Sequence, residues 1–281
     1  GKALLRLVEV TSGSIFYDGI DILALERREL RSTRKSIQMI YQDPYEALPP
    51  HMNVFDIIAE PLEVNRLASS FEDKEAKVAE ALEAVGLTPH EAFVDKYPHQ
   101  LSGGQRQRVA IASALVLNPR FVVADEPVSM LDVSIRTEVV NVMLDLKNKF
   151  GLTYLLITHD LALASHVADR VAIMYLGKIV ELSDTNEVVE NPLHPYTQAL
   201  MSVVPIADPT LPRERMILRG EIPSPSNIPS GCRFHPRCPI AEEICKQKPV
   251  ELLELESGHY VACHFVEKSK AVYTAKFAKG A

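Results

Sequence analysis

Net positive charge is the first thing this sequence lacks. Its 281 residues carry 30 Lys and Arg against 37 Asp and Glu, a formal charge of −7, so no basic footprint argues for nucleic acid as the main partner. No apolar run approaches the roughly 20 residues that cross a bilayer, and the first residues show no secretory-leader pattern. A soluble, cytosolic chain is the expectation, with a membrane partner still open. Cysteine is absent until residue 232 and then occurs four times up to residue 263. Scattered core cysteines rarely segregate like that, and in a reducing compartment the cluster favours a metal or iron–sulfur site over disulfides. What the chain has in quantity is apolar: 47% hydrophobic residues suffice for one large domain or two unequal ones.

The densest chemistry lies between Leu101 and Asp132. Ser102, Gly103, Gly104 and Gln105 stand at the head of a helical pattern running to Leu117. Exposed N–H groups at such a helix start can hold phosphate oxygens. Phe121 to Ala124 is a short apolar run suited to a buried parallel strand, and it delivers two adjacent carboxylates, Asp125 and Glu126. One can bind Mg²⁺ while the other orients or deprotonates a water. Pro127 stops the strand, and Asp132 follows on a turn. Separately, a Ser-Gly-Gly is usually only a loop and an Asp-Glu pair at a strand end is usually just solvated. Their order and spacing are specific, and the stretch resembles the signature, Walker B and D-loop series of ABC-type ATPases.

Other segments fit around it. Ser14 to Tyr17, with Asp18-Gly19-Ile20, predicts a strand and tight turn, Leu25 to Lys35 a short helix, and Ile37 to Tyr41 a strand ending at Gln42. Gln42 could be a plain surface amide, but its place ahead of a helical insertion resembles the Q-loop. From Val54 to Gln100 the pattern is helical: Asp73 can cap a helix whose Val78, Ala81, Leu82 and Val85 share one face, and Gly86 ends it. Val139, Val142, Met143 and Leu146 mark another buried helical face. Tyr154 to Thr158 is a strand delivering His159, which is structural by default and resembles the H-loop histidine here. Val171–Tyr175 and Ile179–Leu182 predict a closing hairpin. Strands alternating with helices argue an α/β domain with a mainly parallel sheet.

At the start, Gly1-Lys2-Ala3 imitates the end of a phosphate-binding loop, but Ala3 cannot replace the Mg²⁺-ligating Ser or Thr. Leu4, Leu5, Leu7 and Val8 continue an apolar stripe that Thr11-Ser12-Gly13 ends. The expectation is that Gly1 and Lys2 lie inside a helix just past the P-loop, that the P-loop segment is missing, and that this chain alone has little ATP affinity.

Past residue 184, prolines become frequent (Pro192, Pro195, Pro205, Pro209, Pro212, Pro223, Pro225, Pro229), which predicts a loop-rich extension. The four cysteines are spaced Cys232-x5-Cys238-x6-Cys245-x17-Cys263. That spacing matches neither a C-x2-C zinc knuckle nor the ferredoxin run, so by composition zinc, an iron–sulfur cluster and no metal all remain open. His235, His259 and His264 read as surface loop residues. A structural role suits a tail with little core of its own.

Tyr97-Pro98-His99-Gln100, Tyr41 to Pro44 and Asn191-Pro192-Leu193-His194-Pro195-Tyr196-Thr197 together resemble oligopeptide and dipeptide ABC importer ATPases over nearly the whole chain. The resemblance implies an ABC-type P-loop ATPase, with a RecA-like core and a helical subdomain, over residues 1–184. The helical subdomain would span about 50–118, and residues 185–281 would form the cysteine-containing extension. It implies ATP and Mg²⁺ as ligands, with Asp125 on Mg²⁺, Glu126 as general base, His159 on the γ-phosphate and Gln42 near the metal or water. Ser102, Gly103, Gly104 and Gln105 would contact a partner's ATP, and Asp132 would bridge the two halves. It tips the cysteines toward a 4Fe–4S cluster, with zinc as the alternative. The implied partners are a second ATPase subunit, two membrane-spanning permease subunits and, indirectly, an extracytoplasmic solute-binding protein, with the chain peripheral on the cytoplasmic side of the membrane. Nickel or oligosaccharide are related solutes. The rival readings are a soluble ABC ATPase of DNA repair or translation, and a metal-sensing role for the tail.

Overall fold

The computed structural model describes residues 1–204, 215–256 and 258–277, and the chain forms two units, Gly1–His159 and Asp160–Ala281. In the first unit the opening residues make a hydrogen-bonded turn in place of the expected helix, with Leu4 N donating to Gly1 O at 3.0 Å and Leu7 N to Lys2 O at 2.9 Å. Arg6 breaks it at φ +52°. Arg34 takes the carbonyls of Leu5 and Arg6, both at 2.9 Å, so those oxygens are spent on a distant side chain. A helix this short has little intrinsic stability with which to compete.

Strands β1 (Phe16–Tyr17) and β2 (Ile20–Asp21) pair antiparallel across Asp18 and Gly19, whose φ values of 48° and 79° suit a tight hairpin turn. Helix α1 (Arg27–Ser36) starts at a Glu26–Glu29 capping box and runs directly into β3 (Ile37–Ile40). A single turn, α2 (Pro44–Ala47), is capped by Asp43. Helices α3 (Val54–Asn65), α4 (Phe71–Ala84) and α5 (Gly103–Leu115) then pack against one another, with Ile58, Leu62, Val78, Leu82 and Ile111 fully buried. The cap of α4 is Ser70, which accepts from Asp73 N, while Asp73 reaches back to Ser69 N at 2.8 Å. Asp73 therefore supports the helix start from its first turn without being its cap.

The strand β4 (Phe121–Asp125) lies between β3 and β5 (Thr153–Ile157) in a parallel sheet, with Met39, Val123 and Leu155 in register. Val122, Val123 and Ala124 are fully buried, which is why this strand reads as an unbroken apolar run. Helix α6 (Val133–Phe150) crosses from β4 to β5 and buries Val139, Met143 and Leu146, leaving Val142 half-buried.

The second unit begins with α7 (Leu161–Val167) and the hairpin β6 (Arg170–Tyr175) and β7 (Lys178–Asp184). After α8 (Thr185–Glu190), α9 (Pro195–Met201) and α10 (Glu243–Gln247) come β8 (Leu253–Glu256), β9 (His259–Val261) and α11 (Val266–Phe277). Strand order β6-β7-β9-β8 makes one antiparallel sheet from the hairpin and the cysteine-bearing tail. Phe234 is fully buried against the rings of Tyr175, Tyr196 and His194, with centroids 5.2, 5.4 and 5.5 Å away. Pro195 opens α9 at its first turn, where a missing N–H costs nothing. Pro205, Pro209 and Pro212 lie outside the described residues.

Candidate active site and cysteine cavity

The end of β4 gathers three of the expected residues. Glu126 follows the strand at φ +45°, a left-handed conformation costing a non-glycine residue roughly 1–2 kcal/mol. Its N–H still reaches Ile157 O at 2.8 Å, so the backbone is pinned to the neighbouring strand while the chain turns away. The turn brings Glu126 Oε2 to 3.1 Å from Gln42 Nε2, at the end of β3, and to 3.1 Å from His159 Nδ1, just past β5. Three parallel strands thus deliver an amide, a carboxylate and an imidazole to one edge of the sheet. Asp125, half-buried, is the last residue of β4 beside them. Its hard oxygen donors fit a Mg²⁺ ion.

The turn after Glu126 is held in shape. Ser129 Oγ donates to Glu126 O at 3.0 Å, and Arg136 binds Leu131 O at 2.8 Å and Ser129 O at 3.3 Å. Asp132 is the N-cap of α6 and makes no side-chain cap bond, leaving its carboxylate exposed.

Ser102 and Gln105 form a reciprocal capping box at the start of α5: Gln105 N donates to Ser102 Oγ at 3.3 Å, and Ser102 N to Gln105 Oε1 at 3.0 Å. The first-turn N–H groups of Gly103 and Gly104 have no acceptor within the helix, as at any helix start, which suits an anion. Gly104 also has a packing reason to be glycine. A Cβ there would sit 2.5 Å from Ile135 Cγ2 in α6, so α5 and α6 approach through its missing side chain.

In the second unit the four cysteines are free, and all line one cavity together with Phe234 and Ile240. Burial pushes the Cys238 thiol up to about 12 and the Cys263 thiol to about 11, and raises Cys232; the neighbouring thiols add to each shift. Among the described residues no three His, Cys, Asp or Glu side chains converge to hold a single metal ion. Gly231 is required beside the cavity: it has φ +65°, and a Cβ there would come within 2.4 Å of Cys245 O. Two histidines expected at the surface are half-buried around the same cavity, with His235 Nδ1 2.9 Å from Cys232 O and His264 Nε2 3.1 Å from Lys248 O.

His259 departs further from expectation. It is 1% exposed, and its Nε2 lies 2.8 Å from Oε1 of the fully buried Glu181. The Glu181 carboxylate also accepts from Leu193 N at 2.8 Å and His194 N at 2.9 Å. Sequence reasoning missed this clamp because a lone Glu in a hairpin and a lone His in a tail carry no local sign of pairing.

Residues 1–129 match the ABC transporter family, and residues 180–245 match the family described as "Oligopeptide/dipeptide transporter, C-terminal region". Among curated proteins, the oligopeptide transport ATP-binding protein AppF of Bacillus subtilis (strain 168) is 50% identical over 267 residues, 94% of this chain and 80% of that protein. Two solved structures share the fold. The dimeric ATP-binding cassette MJ0796, in a post-hydrolysis state bound to ADP and Pi, aligns with a TM-score of 0.58 at 30% identity over 66% of this chain and 78% of its own. The protein cbiO1 of Clostridium perfringens, part of the ABC transporter complex cbiONQ, aligns with a TM-score of 0.60 at 27% identity over 68% and 73%.

Proposed function

The chain belongs to the ABC transporter family, and we propose that it is the ATP-hydrolysing subunit that powers import of oligopeptides or dipeptides across the cytoplasmic membrane. The observation that carries the chemistry is the meeting of Gln42 and His159 on one oxygen of Glu126. A carboxylate held this way can take a proton from a water aligned with a terminal phosphate, and His159 would donate to the phosphate oxygens. Asp125 would hold Mg²⁺, which supplies charge neutralisation on the phosphates. The capped helix start at Ser102, Gly103, Gly104 and Gln105 would grip the nucleotide of a second ATPase subunit, with Asp132 lying between the two. Residues 1–184 would carry this function, with residues 50–118 as its helical part and 185–281 as the importer-type extension. Strand β7 would then do double duty, because the tail strand β9 pairs onto it.

The assembly would place the subunit at the cytoplasmic face beside two membrane-spanning permease subunits, supplied by an extracytoplasmic binding protein. Among the described residues no helix is long and apolar enough to cross a membrane, in keeping with a peripheral position. The peptide-import names of the curated relatives favour this reading over a soluble ATPase of DNA repair or translation. Co-purification with two membrane subunits, and ATP hydrolysis in proteoliposomes that rises with added peptide and binding protein, is the expected result. Stimulation by DNA or ribosomes in place of peptide would overturn it.

For the cysteines we propose a structural 4Fe–4S cluster. Support comes from the four free thiols that line one common cavity, since thiolates in this number ligate such clusters. Brown protein with about four iron and four sulfide per chain, isolated without oxygen, is expected. Stoichiometric zinc, or no metal at all, would overturn it.

A further inference from the structure

Arg106 stands where two functional segments meet. Its guanidinium lies over the Tyr45 ring, 4.0 Å from the centroid, and its Nε donates to Pro98 O at 2.6 Å. We propose that Arg106 is a positioning residue that ties the Gln42 segment to the Ser102 loop through Tyr45, so that a change at Glu126 is felt at the helix start that serves the second nucleotide. The role presupposes the ATPase reading above.

Each link is a short, stiff step. Gln42 Nε2 bonds Glu126 Oε2 at 3.1 Å. The next three residues move as one piece, because Asp43 caps α2 by accepting from Tyr45 N at 2.7 Å and Pro44 is buried with its φ fixed. Tyr45 is 59% exposed, so no surrounding core holds its ring, and the stacked guanidinium is its specific anchor. On the other side, Pro98 to Gln100 form a 3-10 turn leading straight into Leu101 and Ser102. Arg106 grips that turn with its side chain while its own N–H donates to Ser102 O at 2.9 Å. The division of labour on α5 supports the assignment. Arg108 braces the helix elsewhere, donating to Val85 O at 3.2 Å and pairing with Glu138 at 3.0 Å. Only an arginine, planar and with a separate Nε donor, can stack on the ring and bind the carbonyl together.

The test is a double-mutant cycle in the assembled importer, reading kcat, KM for ATP, the Hill coefficient and the melting temperature. Arg106→Ala and Tyr45→Leu should each lower kcat about tenfold with KM for ATP within about twofold. Each should weaken cooperativity and leave the melting temperature unchanged, and the double variant should be no worse than the poorer single. Tyr45→Phe should behave as wild type, and Arg106→Lys should recover part of the loss. Additive losses, or wild-type kcat and cooperativity in Arg106→Ala, would overturn the link. If Arg106→Ala does not fold, wild-type behaviour of Tyr45→Leu overturns it instead. A wild-type importer without ATPase activity would sink the underlying reading, whereas normal wild-type hydrolysis with indifferent variants sinks only the role of Arg106.

Discussion

His159 Nδ1 and Gln42 Nε2 both lie 3.1 Å from the same atom, Glu126 Oε2, so an imidazole and an amide converge on one carboxylate oxygen at the end of β4. Glu126→Gln keeps the shape and removes the proposed proton acceptor. It should lower kcat by about a hundred- to ten-thousand-fold while nucleotide binding survives. Phosphate release and nucleotide retention check it, and a loss under about threefold would remove Glu126 from the base role.

His159→Ala should cost about a hundredfold in kcat, the scale of losing one donor to a developing charge. On the proposed roles, His159 on the phosphate and Glu126 on the water serve one step, so the double variant should be no slower than Glu126→Gln alone. Steady-state rates of the four proteins decide, and multiplicative losses would show that the two act independently.

Gly104→Ala forces a methyl to within 2.5 Å of Ile135 Cγ2. Overpacking of this kind should destabilise by about 1–3 kcal/mol, seen as a lower urea midpoint. Ile135→Leu removes the offending γ-methyl branch and should recover most of the loss in combination. Failure of that rescue would mean the glycine is needed for another reason.

Gly231→Ala meets backbone, which cannot rotate away: Cys245 O lies 2.4 Å from the new Cβ, and φ is already +65°. The second unit should lose more than about 2 kcal/mol, with faster amide exchange around the cysteine cavity. Exchange indistinguishable from wild type would contradict the close approach.

Two histidines should give the second unit opposite pH limbs. Burial holds His194 neutral, with its pKa lowered to about 4, so the unfolded chain takes up a proton first and stability falls as pH drops from about 6.5 toward 4. His259 is raised, chiefly by its hydrogen bond to Glu181, so its contribution is complete below about 6.5 and is lost as pH climbs through the raised value. Each limb should have a slope of up to about 1.4 kcal/mol per pH unit. Denaturant unfolding across pH should show Glu181→Gln abolishing the alkaline limb and keeping the acid one.

The parallel sheet was legible because Val122, Val123 and Ala124 are buried on both faces and leave an unbroken apolar signature. Glu126, Gln42 and His159 were legible as strand-end residues, although nothing local says that they share an oxygen. Features that depend on distant partners were not legible. The opening turn is decided by Arg34 taking carbonyls of Leu5 and Arg6. Ser70 and Asp73 are both good capping residues by type, and only the backbone at the helix start selects between them. Glu181 and His259 are separated by 78 residues, so their pairing is a property of the sheet order and not of either neighbourhood.

That separation matters while the chain is being synthesised. Leu193 and His194 leave the ribosome soon after Glu181, but His259 follows 78 residues behind it. At about 5–20 residues per second the carboxylate waits roughly 4–16 s for the His259 imidazole. Until then the carboxylate has the Leu193 and His194 N–H groups as partners but lacks its imidazole, so the clamp between β7 and the tail stays incomplete. A ribosome stalled just short of residue 259 would therefore hold a chain whose first unit can fold while the Glu181 clamp of the second is unfinished.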